Sequence, residues 1–338
     1  MSDTIKWSFS TDRCFRRCQR QYFLQHVAAW HSTRDPIRKR AFLAKQVKTL
    51  ELWVGSLVHR GIELYVVPAW QERRAVCWDD VIAATSAMAK RQLAFSAAGR
   101  YRETGITKSK AEDDYCALAG HETSAGVTDS EFQGVLSNIE RSFVNLSTMS
   151  ELLGEIGRTG KLWTELTLYL NYDIARIEVR MDLLYFRGYG KPTIVDWKVS
   201  ESLGGSDADL QTALYAWALC RHPKWGVTEA AECELIEVQL LSNTLIRHRA
   251  AEEVFERLEN RIYRSADMLY SLQRGQKYDL SDLSNYEFAA NPNSCSFCPQ
   301  RSLCQEQAAG NPLVSGAVVE PIRRKKERKN EPAYPQLF

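Results

Sequence analysis

Three consecutive segments in the middle of the chain are rich in Val, Ile, Leu and Tyr. They cover residues 162–170, 174–186 and 193–199, and turn residues separate them at 171–173 and 187–192. Runs of β-branched and aromatic residues bounded by such turns are typical of strands that pair with their neighbours in sequence. The sequence therefore predicts a β-meander in the middle of the fold.

Helical patterns lie on both sides of the meander. The clearest, at 252–273, repeats apolar residues with a period of about 3.6 and ends before Gly275, a typical C-terminal stop. Helices are also expected at 10–26, at 50–70 with an end near Pro68, and at 79–98, 129–153 and 207–220, with further strands at 232–242 and 245–249. Helices followed by a sheet that a helix interrupts indicate an α/β (α+β) fold.

The composition is that of a globular protein, and 338 residues suffice for one large domain or two modest ones. Apolar residues make up 44%, but no run approaches the roughly 18 residues of a membrane span. The N-terminus does not resemble a signal peptide. Nine cysteines then indicate a reducing cytoplasm, or the nucleoid or host cytoplasm for a viral protein, with no membrane partner. The net charge of +2 is too small to indicate nucleic-acid binding by itself.

The third segment of the meander contains the motif Asp196-Trp197-Lys198. Side chains alternate along a strand, so Asp196 and Lys198 share one face and Trp197 lies on the other. A carboxylate beside an ammonium group can act as a catalytic pair, because the acid can hold a divalent metal while the lysine stabilises developing negative charge. An ordinary ion pair at a strand end is the alternative.

Four further residues could complete such a site. Asp182 lies on the preceding strand, and a hairpin would bring its carboxylate beside Asp196, which is the oxygen-rich arrangement that Mg²⁺ or Mn²⁺ prefers. His59 lies on an early helix, and Gln211 and Tyr215 are four residues apart on one face of a later helix. Each has a structural alternative. Asp182 and Asp196 could be an incidental pair of acids, His59 could be a structural histidine, and Gln211 and Tyr215 could simply pack.

Cys295, Cys298 and Cys304 have the close spacing of ligands of one metal centre. A closed zinc or iron–sulfur site needs a fourth ligand. The other close pair of cysteines, Cys14 and Cys18, lies almost the whole chain away. A fourth ligand from that pair would make the metal centre a link between the two ends of the protein.

Taken together, these residues resemble the RecB-like branch of the PD-(D/E)XK nuclease superfamily, over about residues 8 to 305. The cysteines resemble its iron–sulfur subset, which includes the AddB nuclease domain and CRISPR-associated RecB-like exonucleases. In that subset one cysteine precedes the nuclease core and three follow it, and the sequence Cys18-Gln-Arg-Gln-Tyr22 after a Ser-rich entry favours Cys18 over Cys14. The motifs that carry the resemblance are Gly55-x3-His59, Asp182, Asp196-x-Lys198, Gln211-x3-Tyr215 and the four cysteines.

The resemblance implies a restriction-endonuclease-like core with a mixed central sheet and metal-dependent hydrolysis of phosphodiester bonds in DNA. His59, Asp182 and Asp196 would bind Mg²⁺ or Mn²⁺ with help from the backbone carbonyl of Trp197. Lys198 would be the catalytic lysine.

Gln211 and Tyr215 would then support the site or the DNA, and Glu165 on the preceding strand would be an additional acid. A structural [4Fe–4S] cluster, with zinc as the rival occupant, is also implied by the resemblance. Its ligands would be Cys18, Cys295, Cys298 and Cys304.

Three positions depart from the family pattern. Val179-Arg180-Met181 stands where a glycine often precedes the acid matching Asp182, Gln19 replaces the usual proline, and Trp197 replaces the usual Tyr or Val. None of these changes removes a metal ligand, so an active enzyme is expected.

A single nuclease domain is expected over residues 1–309. It would contain a helical insertion at about 76–153, a nuclease core at about 160–275 and a cysteine loop at 288–308. The Pro- and charge-rich remainder, 310–338, is predicted to be a disordered basic tail.

The expected partner is DNA, as single strands or ends. The helix from Arg13 to Phe23 carries arginines that could contact phosphates and rings that could stack on bases, with burial of Phe15 and Tyr22 in the core as the alternative. The chain has no Walker A motif, so unwinding would need a helicase or recombination partner. The end of the tail loosely resembles sliding-clamp-binding peptides. A DNA-binding or scaffolding module of nuclease fold is the alternative function.

Overall fold

The computed structural model describes residues 4–187, 190–200, 207–225, 227, 229–249, 251–273 and 278–309. The strands are β1 Ile5–Trp7, β2 Leu162–Tyr172, β3 Ala175–Phe186, β4 Pro192–Lys198, β5 Glu234–Gln239 and β6 Thr244–His248. The helices are α1 Phe9–Arg17, α2 Gln19–Tyr22, α3 Pro36–Gln46, α4 Leu50–Gly61, α5 Val67–Gln71, α6 Trp78–Ala97, α7 Lys108–Ala111, α8 Asp129–Thr148, α9 Ser150–Gly157, α10 Ala208–Arg221, α11 Glu252–Gln273 and α12 Arg301–Ala309. Two π-helical segments, Phe23–Ala28 and Ile62–Val66, directly follow α2 and α4.

The six strands form one mixed sheet. Strand β3 pairs antiparallel with β2 along one edge, and along the other edge it pairs with β1 and then with β4. Strand β4 pairs parallel with β5, which pairs antiparallel with β6. The predicted β2–β3–β4 meander is confirmed, and α10 lies in the crossover that the parallel pair β4–β5 requires. The mixed sheet flanked by helices confirms the α/β (α+β) class and is consistent with a restriction-endonuclease-like core.

Helices cover both faces of the sheet. On one face α4, α6 and α8 pack over β4 and β5 through residues such as Leu57 and Val238. On the other face α10 and α11 pack through residues such as Leu214 and Ile262. Each of these four side chains is at most 1% exposed, and burial of such a side chain contributes about 1.5–3 kcal/mol. This packing fixes α4 and α10, the helices that carry predicted site residues, against the sheet.

Gly61 permits the close approach of α4 to α6 and α8. A Cβ atom at this position would lie 2.5 Å from Thr85 Oγ1 and 2.7 Å from Phe143 Cζ. Only a glycine therefore fits where the three helices meet. Residues 76–153, predicted as a helical insertion, supply α6 and α8 and bury their apolar faces in the same cluster as α4.

The two ends of the described chain pack against each other. Residues of α1, α2 and the segment after them share an apolar cluster with residues near α12. The buried Arg20 donates a hydrogen bond of 3.0 Å to the carbonyl of Tyr286. The buried amide of Gln300 donates one of 2.9 Å to the carbonyl of Ala41. These contacts hold the two ends of the described chain together.

The predicted helix 10–26 is wrong as a continuous element, because the backbone becomes extended at Cys18, with φ −162° and ψ 112°. The side chain of Cys18 accepts a hydrogen bond of 3.4 Å from the backbone N–H of Gln21. A side-chain acceptor at this position satisfies one of the free N–H groups at the start of α2. The break therefore brings a cysteine sulfur to the N-terminus of a helix.

Two other boundaries differ from the prediction. Pro68 lies in the first turn of α5, where its missing N–H costs little, so it does not end the helical stretch. Met149, with φ −79° and ψ 61°, separates α8 from α9, so the predicted helix 129–153 is two helices. The sequence reasoning also missed β1, α3 and α12.

Candidate active site

The two predicted acids lie opposite each other where β3 pairs with β4. Leu183 pairs with Val195, which places Asp182 across from Asp196. Burial is the main cause that raises the pKa of Asp182 to about 6, and the Asp196 carboxylate raises it further, whereas His59 lowers it. Two carboxylates held together away from water are unfavourable unless a cation lies between them.

His59, Glu165 and Asp182 form a group that we call the acid cluster. One potential ligand atom from each lies within 4.8 Å of the others, and all three residues are half-buried. An imidazole nitrogen with two carboxylate oxygens suits Mg²⁺ or Mn²⁺. No other group of three or more His, Cys, Asp or Glu side chains in the described part of the chain meets this spacing. The residues present therefore fit a divalent metal.

Glu165 joins the acid cluster through an unusual backbone conformation in β2. Its φ of 50° lies in the left-handed region that non-glycine residues rarely adopt. Regular pairing continues on either side, with Thr164 opposite Leu183 and Leu166 opposite Met181. Such local strain persists only where surrounding structure enforces it and is frequent at functional sites. Sequence reasoning named Glu165 only as an additional acid because this conformation has no sequence signature.

The backbone of Trp197 orients the acid cluster with both of its polar groups. Its N–H donates a hydrogen bond of 2.8 Å to Asp182 Oδ2. Its carbonyl, predicted as a metal ligand, lies 2.9 Å from His59 Nε2 and accepts a hydrogen bond from it. In the neutral imidazole this places the proton on Nε2 and leaves the Nδ1 lone pair free. Nδ1 lies 3.7 Å from Asp182 Oδ2, so the free lone pair belongs to the atom nearest the carboxylates.

Lys198, Gln211, Tyr215 and Asp196 form a closed ring of polar contacts. Lys198 Nζ lies 2.5 Å from Asp196 Oδ2 and donates a hydrogen bond of 3.3 Å to Gln211 Oε1. Gln211 Nε2 donates to the Tyr215 hydroxyl at 2.8 Å, and this hydroxyl donates to Asp196 Oδ1 at 2.9 Å. The i, i+4 pair on α10 therefore holds the predicted catalytic lysine and acid in one orientation.

The ring leaves one acceptor without an aligned hydrogen-bond donor. Asp196 Oδ2 is buried and forms an ion pair with Lys198, but no donor points at it with hydrogen-bond geometry. Burial and the negative charges of Asp196 and Asp182 raise the pKa of Tyr215 well above its ordinary value, so Tyr215 stays a hydroxyl donor. The Asp196 oxygen thus faces the Lys198 ammonium, and within the described residues Asp196 lies outside the spacing of the acid cluster.

A second buried acid, Glu237, lies next to the ring on β5 and was missed by sequence reasoning. Its register partner is Asp196, and Gln239 is paired with Lys198. The His248 side chain, 3.2 Å away, is the main cause that lowers the pKa of Glu237, and Gln239 and Lys198 lower it as well. The pairing of three strands creates this contact, so only the order β4–β5–β6 could have revealed it.

Comparison with known proteins agrees with this geometry. A model of the PD-(D/E)XK nuclease superfamily matches residues 6–305. The chain belongs to the PD-(D/E)XK nuclease superfamily. Membership implies a metal-dependent nuclease whose reaction is phosphodiester hydrolysis, and it makes nucleic acid the expected binding partner. No curated protein sequence matches the chain.

The four cysteines predicted as ligands lie near one another but do not form a closed thiol group. Within the described ranges, no three of their sulfurs lie within 4.8 Å of one another. Burial raises the pKa of Cys298 to about 11, and the neighbouring Cys18, Cys304 and Cys295 contribute to this shift. Four zinc-bound thiolates, with Zn–S bonds of about 2.3 Å, would lie closer than this limit. Cys14 donates to Gln25 Oε1 at 3.4 Å, and Cys18 and Cys298 also contribute to the raised pKa of its thiol.

The predicted stacking of DNA bases on the first helix is wrong. The rings of Phe15, Tyr22 and Phe23 are at most 4% exposed and pack in the core, so the structural alternative holds. Arg13 and Arg16 remain exposed.

The predicted basic tail, with its sliding-clamp-like end, lies outside the described residues. Among the helices that the structure describes, none has the length and apolar character needed to cross a membrane.

Proposed function

We propose that this PD-(D/E)XK nuclease hydrolyses phosphodiester bonds of DNA with Mg²⁺ or Mn²⁺ and acts as an exonuclease on single strands or ends. One observation carries the proposal: the acid cluster lies beside the ion pair of Asp196 with Lys198. Metal ligands, an ammonium group and the residues that orient it therefore meet at one place in the sheet.

The metal would be held by His59 Nδ1 and by oxygens of Glu165, Asp182 and Asp196. A bound divalent ion neutralises the scissile phosphate and lowers the pKa of a water molecule. The pKa of Asp182, raised to about 6 mainly by burial and further by the Asp196 carboxylate, supports this role, because a bound cation would offset both effects. Asp196 lies opposite Asp182 where β3 pairs with β4, which supports its assignment as a further ligand.

Lys198 would stabilise the negative charge that develops on the phosphate and position the attacking water. Its ammonium group is held by Asp196 on one side and Gln211 on the other. Fixed donors aimed at developing charge act without reorganisation during the reaction. Gln211 and Tyr215 therefore serve catalysis by restricting the movement of Lys198.

The second part of the proposal is a structural [4Fe–4S] cluster held by Cys18, Cys295, Cys298 and Cys304. Its support is the break of the first helix at Cys18, the folding of both chain ends onto each other, and the electrostatic influence of the neighbouring thiols on Cys298 and Cys304. A cubane cluster accepts ligand sulfurs that are farther apart than those around one zinc ion. With four thiolate ligands the cluster has no open position for chemistry.

Anaerobic purification followed by absorption spectroscopy and iron analysis tests the cluster. The parent should contain about four iron atoms per chain and absorb visible light. Cys298→Ser should lose both the iron and the absorbance. The control variant Cys77→Ser should keep both, because Cys77 is exposed and far from the four cysteines in sequence. A colourless protein with one zinc per chain would show that zinc, and not an iron–sulfur cluster, occupies the site.

Digestion of end-labelled linear and circular DNA, each single- and double-stranded, tests the nuclease proposal. The parent should degrade linear single strands with Mg²⁺ or Mn²⁺, and chelation or Lys198→Ala should stop degradation. Lys90→Ala, at an exposed lysine on α6, is the matched control and should cleave like the parent. Cleavage of circular DNA at the same rate would make the enzyme an endonuclease, and equal activity of Lys198→Ala would refute the mechanism.

A further inference from the structure

A basic and aromatic surface lies beside the turn of the β2–β3 hairpin, where β1 joins the sheet. Its residues line an open cavity of about 480 Å³ that we call the hairpin pocket: Thr4, Lys6, Tyr169, Asn171 and Arg176. Arg176 is the register partner of Lys6 on one side and of Asn171 on the other. The three side chains therefore form one row across three strands.

The hairpin pocket combines free positive charge with an exposed ring. Lys6 and Arg176 are exposed, and neither forms an ion pair with another described residue. The Tyr169 side chain is 51% exposed. The Arg176 guanidinium lies 4.8 Å from the centroid of the Tyr169 ring, which orients the ring while leaving half of it accessible. The residues that line the pocket include two cations and no acid, while Glu178, the register partner of Tyr169, and Asp173 of the hairpin turn are the acids nearest to it in register and sequence.

The pocket and the acid cluster lie along the same hairpin. Arg176, Glu178 and Arg180 are exposed and alternate with buried residues of β3, so they share one face. Arg180 forms an ion pair with Glu165 of the acid cluster. Asp182 is six residues from Arg176, which corresponds to about 20 Å along a strand at about 3.3 Å per residue. A nucleic-acid strand on this face would extend from the metal ligands to the pocket.

We infer that the hairpin pocket is a second binding site for single-stranded DNA, at a fixed distance from the bond that is cleaved. The inference rests on the proposed nuclease function. Lys6 and Arg176 bind backbone phosphates, and one unpaired base stacks on Tyr169, with Asn171 in reach of the same nucleotide. Stacking on aromatic rings is the usual recognition of unpaired bases, and the rings of the first helix are buried. A base-paired strand cannot present the face of a base to Tyr169.

The spacing sets a substrate length. At the about 3.4 Å rise of one strand in a duplex, 20 Å corresponds to about six nucleotides, and an extended strand needs fewer. Oligonucleotides that reach only the acid cluster should not use the pocket. Longer ones should bind with lower KM because they occupy both sites.

Two variants and a control test the pocket. Tyr169→Ala should raise the Kd of a labelled single-stranded 20-mer, measured with EDTA, at least about fivefold, the lower range for one stacked base. The double variant Lys6→Gln with Arg176→Gln should lower the slope of log Kd against log salt concentration by about 1.4. Each phosphate contact of a single strand contributes about 0.7 to this slope. Lys90→Gln with Arg264→Gln removes two exposed charges on α6 and α11 and should leave the Kd within about twofold.

Cleavage of a dinucleotide and a 20-mer separates this inference from the function on which it rests. Tyr169→Ala should cleave the dinucleotide, which is too short to reach the pocket, like the parent and lose kcat/KM only on the 20-mer. Equal loss on both lengths, or unchanged binding of the 20-mer, would overturn the pocket while leaving the nuclease proposal intact. A parent protein that neither binds nor cleaves DNA would refute both.

Discussion

Replacing Asp182 by Asn should stabilise the metal-free protein while removing its metal site. The pKa of this carboxyl is about 6 in the folded protein against an ordinary 3.8. A difference of about two units corresponds to about 3 kcal/mol at about 1.4 kcal/mol per unit. The ionised carboxylate therefore destabilises the metal-free fold by about this amount, and a neutral amide does not carry that cost.

The amide also fits the contacts around residue 182. Its oxygen can accept the Trp197 N–H that Asp182 Oδ2 accepts now. Because the folded state raises the pKa, it binds more protons than the unfolded state between about pH 4 and 6. The parent therefore loses stability as the pH rises through this range, and Asp182→Asn does not.

Urea unfolding in EDTA from pH 4 to 8 measures this effect, with Asp267→Asn, an exposed acid on α11, as control. The variant should gain nothing near pH 4 and about 3 kcal/mol above pH 6. Added Mg²⁺ should stabilise the parent but not Asp182→Asn, since a ligand stabilises only the state that binds it. A variant less stable than the parent at pH 8 in EDTA, or a difference that does not change with pH, would refute the reasoning.

Three further changes give separate readouts. Tyr215→Phe removes the donor to Asp196 Oδ1 and should lower kcat for DNA with little change in KM, at a cost in unfolding free energy of about 1.5–3 kcal/mol; unchanged kcat would show that Lys198 needs no such support. Glu165→Gln should weaken Mn²⁺ binding at least about tenfold by calorimetry, and parent-like affinity would remove Glu165 from the site. Arg261→Met leaves buried Asp12 without its ion-pair partner at 2.6 Å, so the free energy of unfolding in urea should fall by about 3–5 kcal/mol. The control Arg257→Met removes a half-exposed partner of Asp209 and should lower the free energy of unfolding by less than about 1 kcal/mol.

The sequence predicted the elements with strong periodicity. The predicted helix 252–273 coincides with α11, and the strands of the meander agree with β2, β3 and β4 to within two residues. Strand β1 has three residues, too few for a pattern. Helix α3 buries only Ala41, so it has no apolar stripe to recognise. The break at Cys18 was missed because the aromatic residues on both sides continue the helical spacing.

The site likewise contains residues that the sequence predicted and residues that only the structure reveals. Asp182, Asp196 and Lys198 could be predicted because alternation along strands and one hairpin suffice to place them together. The contribution of Glu165 depends on a left-handed backbone at one residue, and that of Glu237 on the order of three strands. The aromatic residues of the first helix satisfied both a stacking and a core interpretation, and only their burial decides between them.

The central claim is that His59, Glu165 and Asp182 hold a metal beside a catalytic Lys198. Mn²⁺ binding by electron paramagnetic resonance, followed by single-turnover cleavage of a labelled single strand in the same samples, tests it most directly. Lys198→Ala should bind Mn²⁺ like the parent and fail to cleave, and Asp182→Asn should neither bind nor cleave. Parent-like cleavage by Lys198→Ala, or parent-like Mn²⁺ binding by Asp182→Asn, would contradict the claim.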